Sequence, residues 1–266
     1  MTAQLSEQPR IKPTVVLHAI SVACWAIVVI WAVQMDMGLW GMPGTMGMRF
    51  PWFLVMWTLM MAAMMLSSMS PLAVLYGRSM KRQRGRRLSM FSAGYILGWA
   101  ATGIPAFLIA DRFGAFAADR PLLAQSVAVA CFASAGVYQL TPLKMVCLSH
   151  CRTPISHLLH YAAFKGTTKD LRVGIHHALF CMGCCWALMV LMVTFGVMNL
   201  AAMIGLALVI AVEKRWRYGE TFARLVGVVA LLWAVVIIFE PGVAPGLDPS
   251  GLIDMGEMKI EMGEGG

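Results

Sequence analysis

Eight side chains in two short stretches of this sequence have the types and spacing of a soft-metal site. The first stretch, Cys147-Leu148-Ser149-His150-Cys151, carries a C-x3-C pair with an imidazole beside it. The second, His176-His177-Ala178-Leu179-Phe180-Cys181-Met182-Gly183-Cys184-Cys185-Trp186, opens an apolar segment. On a helix, His177, Cys181 and Cys184 fall at i, i+4 and i+7 along one stripe, with Cys185 one turn beyond Cys181. Thiolate and imidazole bind copper, zinc and iron well. The expected metal ligands are therefore Cys147, Cys151, His177, Cys181, Cys184 and Cys185, with His150 and His176 as outer partners or alternative ligands. This reading requires the two stretches to meet at one site.

A second sulfur chemistry accompanies the first. Met35, Met37, Met42, Met46 and Met48 punctuate a Gly-rich loop, and Met56, Met60, Met61, Met64, Met65 and Met69 form two i, i+4 ladders in the apolar segment that follows. Thioether is an uncharged ligand suited to Cu(I), although methionine also fills gaps between apolar helices. The loop methionines are read as capture ligands, with Met60 and Met64 continuing the series inward. As a helix, the chain from Met48 to Met69 would run about 32 Å, the depth of a membrane.

The elements that must position these groups are membrane spans. Of the 266 residues 59% are hydrophobic and 13% charged, and the mean hydropathy is +0.73. The charges gather in short blocks between long apolar runs, a pattern foreign to soluble globular chains. The expected fold is an all-α, polytopic bundle of seven spans, at about 15–33, 52–76, 92–110, 122–140, 174–195, 199–212 and 221–239. A polar tail (1–14) precedes them and a Met-rich acidic tail (241–266) follows. No charge occurs between Gly174 and Val212. As one helix that stretch would run about 58 Å against roughly 30 Å of hydrocarbon, so it must turn back, and Gly196 to Asn199 is the place for the turn.

Seventeen of the 21 Lys and Arg residues fall on the N-terminal side of such a bundle. That bias places the N-terminus in the cytoplasm and the C-terminus outside. It also explains the net charge of +8 without a nucleic-acid partner. The Met-rich loop and tail then face outward, and both Cys/His stretches lie at the cytoplasmic end of spans four and five. Cys24 and Cys131 read as small buried hydrophobes, His157 and His160 as the polar face of an amphipathic helix. Gln139, Asn199 and Lys144, the last beside the C-x3-C pair, stand out as polar groups in or beside apolar segments; interhelical or backbone hydrogen bonds would occupy Gln139 and Asn199. Seven Cys beside or within spans do not make a secreted disulfide framework. No P-loop is present, and carboxylates are nearly absent from the spans, which argues against nucleotide-driven transport and a di-iron carboxylate centre.

Four blocks together resemble a bacterial family of predicted metal-binding integral membrane proteins. They are Trp57-x2-Met60-Met61-Ala62-Ala63-Met64-Met65-Leu66, Tyr138-Gln139-Leu140-Thr141-Pro142-Leu143-Lys144-x2-Cys147-Leu148-x-His150-Cys151-Arg152, His176-His177-x3-Cys181-x-Gly183-Cys184-Cys185-Trp186-Ala187-Leu188-Met189, and Gly196-x-Met198-Asn199. Ser67 departs from the pattern, which leads one to expect proline there. The resemblance implies metal binding but no reaction.

Two readings of the function lead at this point, beside a plainer structural one in which the ligands merely pin spans four and five together. In the first, a multi-pass protein of the bacterial inner membrane captures a soft metal from outside, copper before zinc or iron, and holds it at the Cys/His site for transport or metal handling. Its partners would be the lipid bilayer, the metal ion, and a periplasmic metal donor or a membrane complex. In the second, the chain is a membrane subunit of a copper- or thiol-dependent oxidoreductase or monooxygenase, in which the same site performs redox work.

Overall fold

A computed structural model describes residues 13–34, 48–79, 83–153, 161, 163–196 and 199–243, without the side chains of 113–119, 121 and 193. All regular structure among the described residues is helical: α1 Pro13–Gln34, α2 Phe50–Arg78, α3 Arg84–Ala101, α4 Gly103–Asp119, α5 Pro121–Leu140, α6 Pro142–Arg152, α7 Lys169–Phe195, α8 Leu200–Arg215 and α9 Gly219–Phe239, followed by one 3-10 turn. The capture residues Met35, Met37, Met42 and Met46, together with His157, His160 and residues 1–12 and 244–266 of the two tails, lie outside the described residues.

Among the described residues six stretches are long and apolar enough to cross a membrane: Pro13–Gln34, Phe50–Arg78, Arg84–Arg112, Leu122–Leu140, Lys169–Met192 and Gly219–Phe239. The expected sixth span, 199–212, differs from these. It belongs to α8, which has 16 residues and is therefore about 24 Å long, short of the roughly 30 Å hydrocarbon core. The uncharged stretch that contains it breaks between Phe195 and Leu200. Gly196 takes a left-handed φ of 95°, and Asn199 accepts from the Ala202 N–H at 2.9 Å while donating to the Phe195 carbonyl at 3.0 Å. One side chain thus closes the end of α7 and opens α8.

Two prolines shape the path of the chain. Pro105 follows the break at Thr102 that divides the expected third span into α3 and α4. Pro71 lies inside α2 and cannot bond the Ser67 carbonyl. Arg215 of α8 donates to that carbonyl instead, at 2.8 Å, so the freed acceptor becomes a docking point for α8 on α2.

Close backbone approach locks α3 to α7. A Cβ added at Gly94 would collide with the Leu171 carbonyl, and one at Gly174 with the Phe91 carbonyl; at Gly98 it would come within 2.6 Å of Ala178. From Arg87/Asp170 through the contacts at 91–94 and 171–174 to Gly98/Ala178 both helices move forward, so α3 and α7 run parallel, joined by a small-residue seam of the kind that lets membrane helices touch. Gly136 and Gly227 join α5 to α9 in the same way, here antiparallel, since Gln125 at the start of α5 donates to the carbonyls of Ile237 and Ile238 at the end of α9. At the basic end of the bundle Asp170, in the first turn of α7, accepts from Tyr76 at 2.5 Å and pairs with Arg87 at 3.0 Å.

Candidate metal centre

Cys181 and Cys184 lie one turn apart in the middle of α7, facing α6 and α8. Cys151, near the end of α6, meets them. The three Sγ atoms lie within 4.8 Å of one another, and those of Cys151 and Cys184 are 3.6 Å apart. A metal–sulfur bond of about 2.3 Å sets three sulfurs about 4.0 Å apart in a trigonal centre. The group is thus nearly at the spacing one soft ion would impose.

Local sequence explains why α6 presents Cys151 there. Thr141 precedes a proline, takes an extended conformation and caps the helix, accepting from the Lys144 N–H through its side chain. From that start Lys144, Leu148 and Cys151 fall at i, i+4 and i+7 on the inner stripe. Lys144 and Leu148 are both fully buried. The Lys144 ammonium donates to the Cys184 carbonyl and to Glu213 Oε2 at 2.7 Å. Gln139 donates to Glu213 Oε1 at 2.7 Å, and Arg152 donates to the Glu213 carbonyl at 2.6 Å and the Arg217 carbonyl at 3.1 Å. Both ends of α6 are therefore tied to the end of α8.

Cys181 has its own polar partners. Lys214 Nζ donates to its sulfur at 3.0 Å and to Ser68 Oγ at 3.3 Å, and the Tyr95 hydroxyl lies 3.0 Å from the same sulfur. Once Cys181 is ionised for metal binding, that last contact can run only one way, with Tyr95 donating. Burial opposes the charge on Lys214, but the sulfurs of Cys181, Cys184, Cys185 and Cys151 outweigh it and hold the ammonium well above the ordinary lysine value. Sulfur hydrogen bonds to Cys181 and Cys184, together with burial, push the Cys151 thiol well up, so a metal entering there must displace a proton.

The other expected ligands lie outside the three-sulfur group, each for a visible reason. Cys184 and Cys185 both donate to the Cys181 carbonyl, at 3.1 and 2.9 Å, but adjacent helical residues point about 100° apart, so the two cannot share one direction. Cys147 packs against Gly183, where an added Cβ would come within 2.9 Å of its sulfur, and burial raises its pKa. His177 sits in the α3 interface, its ring 5.6 Å from that of Tyr95 and 6.3 Å from that of Phe91. One helical stripe is thus shared between two neighbours, with α3 taking His177 and α6 taking Cys184. His176 packs among Tyr161, Phe164 and Phe180, and His150 stacks on Phe180 while bonding the Val146 carbonyl at 2.9 Å. Met60 and Met64 are buried in α2, and Met48 is half-buried just before it.

Sequence reasoning passed over Glu213, Lys214, Arg152, Tyr95 and Ser68. Glu213-Lys214-Arg215 reads as a basic loop, but α8 continues through it and turns Glu213 inward. The available signal was scarcity. Lys144 is an isolated charge, and Glu213 an isolated carboxylate, at the edge of an apolar segment, and each needs a partner if buried.

A family model described as PpoB2, copper chaperone, matches residues 54–237. The chain belongs to the PpoB2 copper chaperone family. The matched range takes in the three sulfurs, the Lys144–Glu213 pair and the donors to Cys181, so the whole centre lies within the PpoB2 region. No curated protein and no solved structure matches the chain.

Proposed function

We propose that this protein is a membrane-embedded Cu(I) chaperone whose binding centre is Cys151, Cys181 and Cys184. The convergence of these three sulfurs from two helices carries the reading. Three soft, ionisable ligands suit Cu(I) and would also accept zinc; membership of a copper chaperone family favours copper. Lys214 and Tyr95 offset part of the negative charge that three thiolates concentrate around a monovalent ion.

The positive-inside bias places the centre near the cytoplasmic face of the bacterial inner membrane. Met35, Met37, Met42, Met46 and Met48 then form an outward capture segment, with Met60 and Met64 inward of it. In this reading α8 enters from the outer side and reaches down to the level of Cys181, where Lys214 meets the sulfur. Copper held here passes onward to a partner, so the role is metal handling and not turnover of an organic substrate.

The test is the copper, zinc and iron content of the purified protein under reducing conditions, measured beside Cys181→Ser/Cys184→Ser. Near-stoichiometric copper that disappears in the variant is the expected result. Equal copper in both proteins, or none after loading with Cu(I), overturns the assignment.

A further inference from the structure

Cys181 and Cys184 are held on a 27-residue helix, and each is 1% exposed. Cys151 differs on both counts: it is half-buried and stands on an 11-residue helix. Polar bonds from Lys144 and Arg152 tie that helix to the rest of the centre, and one residue takes a bond from each of the two. Glu213 takes Lys144 and Gln139 on its carboxylate and Arg152 on its backbone carbonyl. Lys144 in turn also grips the Cys184 carbonyl. It lies two helical turns before Cys151 on the same stripe, so fixing its ammonium fixes both the height and the rotation of the Cys151 sulfur. An apolar pair could fill the same space without the desolvation cost of two charges. What the ion pair adds is a defined position for α6.

We propose that Glu213 and Lys144 are a positioning pair that holds Cys151 in place as the exchangeable third sulfur, and that copper leaves through Cys151 to a thiol-bearing acceptor. The transfer step rests on the copper reading above. In it, the incoming thiol forms a copper–sulfur bond as the copper–Cys151 bond breaks, and the thiol's proton passes to the Cys151 sulfur. Copper remains Cu(I) throughout, and no electron is exchanged. Cys181 and Cys184 keep hold of the ion until the acceptor supplies a second sulfur.

The experiment uses the full chain in mild detergent and the double variant Lys144→Met/Glu213→Leu, which removes both charges together and leaves neither unpaired. In metal-free protein treated with diamide, the Cys151–Cys184 disulfide is quantified by peptide mapping; the 3.6 Å contact makes it the favoured link in the wild type. The variant is expected to lose about tenfold of that link, to show two sulfurs around Cu(I) by X-ray absorption where the wild type shows three, and to release copper about tenfold faster. Release is measured to glutathione and to a two-cysteine peptide in parallel. Transfer to glutathione indicates a small-thiol acceptor, and transfer to the peptide alone indicates a cysteine-bearing carrier protein; either supports the proposal. Unchanged cross-linking with unchanged three-sulfur coordination overturns it. Weaker cross-linking in a protein whose wild type holds no copper supports the positioning role and overturns the transfer step. Arg152→Gln, which cuts the second tether and leaves the buried pair intact, gives the same readouts at smaller amplitude if the double variant does not fold.

Discussion

The molecule has two sulfur-rich regions, and they differ in what surrounds the sulfur. In α2, Met60, Met61, Met65 and Met69 are fully buried, with Met56 and Met64 nearly so, and their buried neighbours along the helix include Ala62, Ala63 and Leu66. Around the middle of α7, Cys151, Cys181 and Cys184 lie among Lys144, Lys214, Arg152, Tyr95 and Glu213. Thioethers in an apolar column satisfy packing without any ion. Thiols ringed by charged donors are not accounted for by packing, because each charge brought there costs desolvation that only specific partners recover. Sulfur count alone therefore does not locate chemistry; the polar shell does.

Substitutions in the two regions should separate them. The largest effect is expected for Cys181→Ser/Cys184→Ser, which should weaken Cu(I) binding by more than about 100-fold in a competition titration, beyond the loss typical of a single outer partner. Gly94→Val should come next. Its side chain has to displace the Leu171 carbonyl, at a cost of about 3 kcal/mol or more, and by parting α3 from α7 it should also carry Tyr95 away from Cys181. A thermal melt and a copper titration on the same sample would show whether both losses occur together.

Lys214→Met should have a smaller effect, weakening Cu(I) binding about tenfold while leaving the fold intact, since it removes one donor to Cys181 and no metal ligand. A loss as large as that of the double cysteine variant would make Lys214 part of the scaffold. The smallest change is expected for Met60→Leu/Met64→Leu, at under about 1.5 kcal/mol of stability. Copper at the thiols should be unchanged at equilibrium, and only loading from the Met-rich side should slow. If the loading rate is unchanged as well, the α2 methionines are packing and nothing more; if equilibrium copper falls, the contrast between the two regions is broken.

Much of this was open to a reader of the sequence. The apolar runs, the basic blocks and the turn at Gly196–Asn199 follow from hydropathy, charge and bilayer thickness, which act locally along the chain. Convergence of the two Cys/His stretches was what the metal reading required and not something spacing showed, and three of their sulfurs do come together. Spacing could not divide the three grouped sulfurs from the other Cys and His residues. His177 and Cys184 share one stripe of α7, and only the neighbouring helices assign the first to an aromatic interface and the second to a thiol group. Nor could it recover Glu213, which lies 69 residues from Lys144 in the chain and 2.7 Å away in space. Local patterning thus determined the class of protein and the chemical repertoire. The grouping of Cys151, Cys181 and Cys184 and the Lys144–Glu213 pair beside them belong to the tertiary structure, because a buried charge is satisfied by whichever group packing delivers to it, at any distance along the chain.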